Sequence, residues 1–158
     1  MKFFSIILAA VVLSLSASAV SQSKYSVSIT RKDSNLYKVD NKEIWVQTRY
    51  CYEYAYYEDA VLSSSQIVFV DNETTCDVKR VLQEAKINSG SYELSVTHED
   101  DELYSTLDGF YIRTSMCLEL GISEDALLRV NSYGGGTLVF LDNGRKCDVE
   151  SVLRPMQL

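Results

Sequence analysis

The chain has 158 residues, with 15 Lys and Arg against 22 Asp and Glu, a formal net charge of −7 and a single histidine. An acidic chain is repelled by nucleic acid and by anionic membrane surfaces, which disfavours both as partners and favours a protein with a basic face. One histidine leaves any catalytic triad dependent on His98, and the sequence places no nucleophile beside it.

The first residues, Met1-Lys2-Phe3-Phe4-Ser5, an apolar run from Ile6 to Leu15 and the small residues Ser16-Ala17-Ser18-Ala19, have the three parts of a secretory signal peptide. The run is too short to span a bilayer, and cleavage after Ala19 is expected to leave a chain from Val20 to Leu158. No later stretch is apolar for long enough to be a transmembrane helix, so we expect a soluble periplasmic or extracellular protein without membrane insertion. Its four cysteines, Cys51, Cys76, Cys117 and Cys147, should be oxidised there. None forms a Cys-x-x-Cys pair, which disfavours a zinc or thioredoxin-like site.

The mature chain opens with an alternating strand pattern, Tyr25 to Thr30, and the same pattern returns at Tyr92 to Thr97. Asp33, Leu36 and Tyr37 then match Asp100, Leu103 and Tyr104. A long strand follows in each half, 44–55 and 110–120, whose alternate positions Ile44, Val46, Thr48, Tyr50, Tyr52 and Tyr54 answer Phe110, Ile112, Thr114, Met116, Leu118 and Leu120. That set is expected to face a core. Glu58-Asp59-Ala60 recurs as Glu124-Asp125-Ala126 and opens a hairpin, with tips at Ser63-Ser64-Ser65 and at the longer, glycine-rich Asn131 to Gly136. The returning strands, Ile67 to Val70 and Leu138 to Leu141, are continuously apolar and predict burial on both faces.

Cys76-Asp77-Val78 and Cys147-Asp148-Val149 close the pattern. Apolar residues at Val78, Val81, Leu82 and Ala85, and at Val149, Val152, Leu153 and Met156, have helical spacing, with Asp77 and Asp148 as N-caps and Pro155 as the second helix stop. The expected fold is therefore α+β and β-rich, a tandem duplication of a strand, long strand, hairpin and short helix. Repeat 1 covers 20–87, a linker 88–91 and repeat 2 covers 92–158, as two lobes or one pseudo-symmetric domain. Each unit is expected to hold one disulfide, Cys51 to Cys76 and Cys117 to Cys147, with exchange between repeats as the alternative.

No residue stands out as catalytic, and no cofactor or metal is implied. Glu99-Asp100-Asp101-Glu102 reads as a solvated acidic loop, with calcium binding as the competing possibility. The repeated glutamates Glu53, Glu119, Glu58 and Glu124 do not forbid glycosidase-type acid–base chemistry, but read as turn or ladder partners of Thr48, Thr114 or backbone amides. Trp45 and Tyr111, on the polar face of the long strands, and Tyr56 and Tyr57 are the candidates for exposed contacts. Asn72-Glu73-Thr74 fits an N-glycosylation acceptor. The leading expectation is a protein-binding module that is not an enzyme, of the inhibitor or immunity type, with Glu99 to Glu102 steering a basic partner and the aromatics supplying contact area. A carboxylate hydrolase and a structural component of an envelope or matrix are the alternatives.

Overall fold

The computed structural model describes residues 22–100, 102–117 and 119–158, so the leader and its cleavage site, Asp101 and Leu118 lie outside the described residues. Among the described residues every regular element is a strand: β1 (Lys24–Asp33), β2 (Leu36–Val39), β3 (Ile44–Arg49), β4 (Glu58–Ser63), β5 (Gln66–Phe69), β6 (Thr75–Glu84), β7 (Gly90–Asp100), β8 (Leu103–Thr106), β9 (Tyr111–Ser115), β10 (Glu124–Val130), β11 (Gly136–Phe140) and β12 (Lys146–Met156). The protein is all-β, not α+β.

The two expected helices are strands β6 and β12, and their helical spacing has two causes. A bulge opposite Gln47 and Thr48 makes Lys79 an extra residue in β6, so the inward side shifts from Val78 to Val81. Leu82 is then buried on the other face, and one strand with both faces covered reads as i, i+3, i+4. β12 repeats this with a bulge at Glu150, Val149 and Val152 inward and Leu153 outward. Pro155 lies in β12 opposite Leu82. Ala85 N–H donates to Val152 O at 2.8 Å, three steps along the same ladder. By antiparallel alternation Pro155 therefore stands at a position facing β6 where no N–H is needed.

All pairings are antiparallel, and all twelve strands belong to one sheet. Within it β1 pairs with β2, β2 with β3, β3 with β6, β6 with β5, β5 with β4 and β4 with β1, which closes a ring of six strands. The second half closes the same circuit through β7, β8, β9, β12, β11 and β10. Closure leaves neither ring with a free sheet edge of the kind that invites aggregation. The rings are joined where the end of β6 pairs with the end of β12, Leu82 opposite Pro155 and Glu84 opposite Leu153.

Each ring encloses its own core, with Ile29, Tyr37, Val46, Ile67 and Phe69 in the first and Val96, Tyr104, Ile112, Leu138 and Phe140 in the second. The cores exchange their final packing. Met156 and Leu158, at the end of the second half, pack against the first core, while Ala85 and Ile87, at the end of the first half, pack against the second. A third cluster lies between the rings: Leu36, Trp45 and Leu82 meet Leu103, Leu153 and Tyr111. β5 and β11 differ from expectation in that one face is buried while Val68 and Val139 are half-buried, and Val70 and Leu141, just beyond the strands, are exposed.

The disulfides are Cys51–Cys76 and Cys117–Cys147, one in each ring, as the spacing predicts. They close loops with sequence separations of 25 and 30, and the chain-entropy argument gives about 3.5 kcal/mol for each such loop. They fit an oxidising, extracellular-type environment. Among the described residues no helix is long and apolar enough to cross a membrane.

Candidate functional site

The strands carrying the cysteines are shorter than the pattern predicts. β3 ends at Arg49 and β9 at Ser115, because Tyr50 (φ 51°) and Met116 (φ 52°) enter the left-handed region, where a strand cannot continue. Tyr57 (φ 53°) and Ser123 (φ 54°) bring the chain back into β4 and β10. The alternation consequently inverts: Cys51 and Ala55 are buried, and Tyr50, Tyr52, Tyr54, Tyr56 and Tyr57 are 62% to 88% exposed. The expected core role of Tyr50, Tyr52 and Tyr54 is therefore overturned. In the second ring the equivalent loop exposes Met116, Leu120 and Ile122.

The backbone of the tyrosine loop is held at several points. The Cys51–Cys76 disulfide anchors its start, and Cys51 N–H donates to Asn35 Oδ1 at 3.0 Å. The buried Tyr37 hydroxyl donates to Glu53 O at 2.7 Å, Arg31 N–H to Ala55 O at 2.9 Å, and Tyr57 N–H to Thr30 Oγ1 at 3.1 Å. Burial pushes the Tyr37 phenol up to about 12, with Arg31 opposing the rise and Glu53 and Glu58 adding to it. The second loop uses the same device: Tyr104 donates to Glu119 O at 2.5 Å, and its phenol is also pushed up to about 12 by burial and nearby carboxylates. The tyrosine rings thus project from a backbone that is already ordered, with Tyr56 and Tyr57 in edge-to-face contact at 4.9 Å.

The repeated glutamates surround these loops. Glu53 Oε1 accepts from Asn72 Nδ2 at 2.6 Å, and Glu119 pairs with Arg145 at 3.1 Å, so each ties its cysteine loop to the turn before β6 or β12. Glu58 and Glu124 each bury one carboxylate oxygen without a hydrogen-bond partner. Desolvation, then Asp71 and Glu53, raise the Glu58 carboxyl above its usual range. The expected partnership of Glu119 with Thr114 is not made: Thr114 Oγ1 donates to Glu102 at 3.0 Å and Thr48 Oγ1 to Asn35 O at 3.2 Å. Two cavities of about 390 and 490 Å³ open at the far end of each ring, lined by residues such as Leu94 and Ile112 or Val27 and Ile44. Neither includes any of the four glutamates, so these cavities do not supply the cleft that a pair of catalytic carboxylates requires.

Trp45 and Tyr111 are brought together, but inside the molecule. Trp45 is 3% exposed in the cluster between the rings, with Arg113 stacked on its ring at 4.6 Å, Lys38 at 5.1 Å and its Nε1 donating to Glu84 at 3.3 Å. Tyr111 packs against the same cluster beneath Arg80 at 4.5 Å. Their face reads as polar because its other members, Gln47 and Arg113, are themselves enclosed between the rings. Neither aromatic offers an open contact surface.

The acidic cluster is also used internally. Glu99 accepts from Lys79 at 2.9 Å and Arg80 at 3.3 Å, contacts that pull its carboxyl below the usual range although burial alone would raise it. Asp100 accepts from Asn35 Nδ2 at 3.0 Å across the rings, and Glu102 accepts from Cys117 N–H at 3.0 Å. The described members of Glu99 to Glu102 are therefore structural cross-links and not a solvated loop; Asp101 is outside the described residues. His98 stacks edge-on against Tyr104 at 5.2 Å. Among the described residues no group of three or more His, Cys, Asp or Glu is arranged to hold a metal ion.

Compared with protein-family models, curated proteins and solved structures, the chain matches none. Of the expected contact residues, Tyr56 and Tyr57 remain on the surface, joined by Tyr50, Tyr52 and Tyr54.

Proposed function

We propose that this is an exported, non-enzymatic protein-binding module that docks a basic partner through its tyrosine loop. The carrying observation is five exposed tyrosines on one disulfide-anchored loop. Exposed apolar surface of this density marks interaction sites, and tyrosine gives large contact area with few torsions to freeze. A backbone fixed before binding lowers the ordering cost of association.

Charge favours a basic partner. Residues 49–59 and the adjacent turn 71–74 contain Glu53, Glu58, Asp59, Asp71 and Glu73 against Arg49 as the one basic residue. Carboxylates around an aromatic patch steer a cationic protein and make association fall with salt. Steering is assigned to these groups and not to Glu99 to Glu102. The aliphatic loop with Met116, Leu120 and Ile122 provides a second apolar contact.

The second reading, a carboxylate hydrolase, draws on the raised Glu58 carboxyl and its neighbour Glu53. Glycan turnover by the mature protein, abolished in Glu58→Gln, would favour it. Partner binding that is lost in Tyr52→Ser/Tyr54→Ser/Tyr56→Ser and kept in Glu58→Gln supports the binding module.

A further inference from the structure

Two turns of this molecule have the same geometry and differ in one chemically decisive residue. Between β5 and β6, Asn72 Oδ1 accepts from Thr74 N–H at 2.9 Å, and Glu73 between them has φ 57°. Between β11 and β12, Asn143 Oδ1 accepts from Arg145 N–H at 2.8 Å, and Gly144 has φ 70°. Both asparagines are exposed on tight turns that project from a closed ring. Only the first is followed two residues later by a hydroxyl side chain, as an N-glycosylation acceptor requires.

We propose that Asn72 is an N-glycan attachment site and that Asn143 is its unmodified counterpart. The donor is a saccharide on a lipid-linked pyrophosphate. Asn72 Nδ2 forms the bond to the sugar C1, the bond from C1 to the pyrophosphate oxygen breaks, and the pyrophosphate leaves with the electron pair. The amide gives up one proton, and nothing is oxidised or reduced. The substituted amide keeps one N–H, enough to retain the bond to Glu53 Oε1. The sugar would therefore stand beside the tyrosine loop without displacing any core residue, since Val70 and Asp71 before it are also exposed.

The test is expression of the full chain with its own leader in a eukaryotic secretory host, followed by intact mass and peptide mapping before and after peptide N-glycosidase. The expected result is a glycan on Asn72 alone, removed by the enzyme, absent in Thr74→Ala and retained in Thr74→Ser. Arg145→Thr should add a second glycan at Asn143, because the turn there is already formed. A chain with bare Asn72, whether exported or retained, overturns the proposal, and so does Arg145→Thr acquiring sugar at Asn143 while Asn72 stays bare.

Discussion

Replacing Trp45 by alanine tests whether the cluster between the rings holds the molecule together. Trp45 is 3% exposed and is enclosed by Leu36, Leu82, Leu103 and Leu153. Truncating a buried tryptophan costs about 3–5 kcal/mol through lost burial and the cavity left behind. Two cations, from Arg113 and Lys38, also lose the ring they stack on, at about 0.5–1 kcal/mol each. Because the neighbours come from two closed rings, collapse of the site is restricted, and we expect the upper end, about 4–5 kcal/mol. With a urea slope of about 2 kcal/mol/M, the unfolding midpoint of the oxidised protein should fall by about 2 M. Tyr54→Ala, at an exposed loop position, should stay within about 0.5 kcal/mol of the parent. Equal midpoints for Trp45→Ala and the parent would refute the placement of Trp45 and return it to the surface.

Met156→Ala/Leu158→Ser should loosen the ring formed by the other half, raising hydrogen exchange in β1, β2 and β4 at a cost of about 1–3 kcal/mol; loosening confined to the second ring would contradict the exchange of packing. Glu58 holds its proton above the usual carboxylate range, so in that window the folded state binds more protons than the unfolded chain, and stability falls as pH rises through it. Glu58→Gln should therefore raise the urea midpoint at neutral pH and match the parent at acidic pH, with the reverse order counting against a buried carboxyl. Tyr37 and Tyr104 keep their protons to about 12, while unfolded tyrosines ionise near pH ~10, so stability should fall as pH rises across that interval. Tyr104→Phe should flatten part of that fall and cost about 1 kcal/mol at neutral pH through the lost bond to Glu119 O; an unchanged alkaline fall would exclude it as a contributor.

The disulfides, the first strands and the hairpins were legible because each rests on local pattern. Cysteine spacing and the alternation of Tyr25 to Thr30 survive folding unchanged. The helices at Val78 and Val149 were misread because a bulge and two-sided burial together counterfeit the helical period, and sequence carries no direct sign of a bulge at Lys79. Tyr50, Tyr52 and Tyr54 were placed in the core because a left-handed residue at Tyr50 reverses the faces of everything after it. Trp45 and Glu99 were placed on the surface because their partners, Arg113, Lys79 and Arg80, come from distant strands. A signal was present for the tyrosine loop, five aromatics within eight residues at 50–57, more than a six-stranded ring has room to bury.

The most direct test of the binding account is paired capture from the native exported fraction, using the mature protein and its Tyr52→Ser/Tyr54→Ser/Tyr56→Ser variant as baits at equal loading and two salt concentrations. The account predicts a basic protein retained by the parent, weakened by salt and lost with the variant, while Tyr25→Ser leaves it bound. Capture that is identical for parent and variant, or the absence of any protein that depends on the loop, would contradict it.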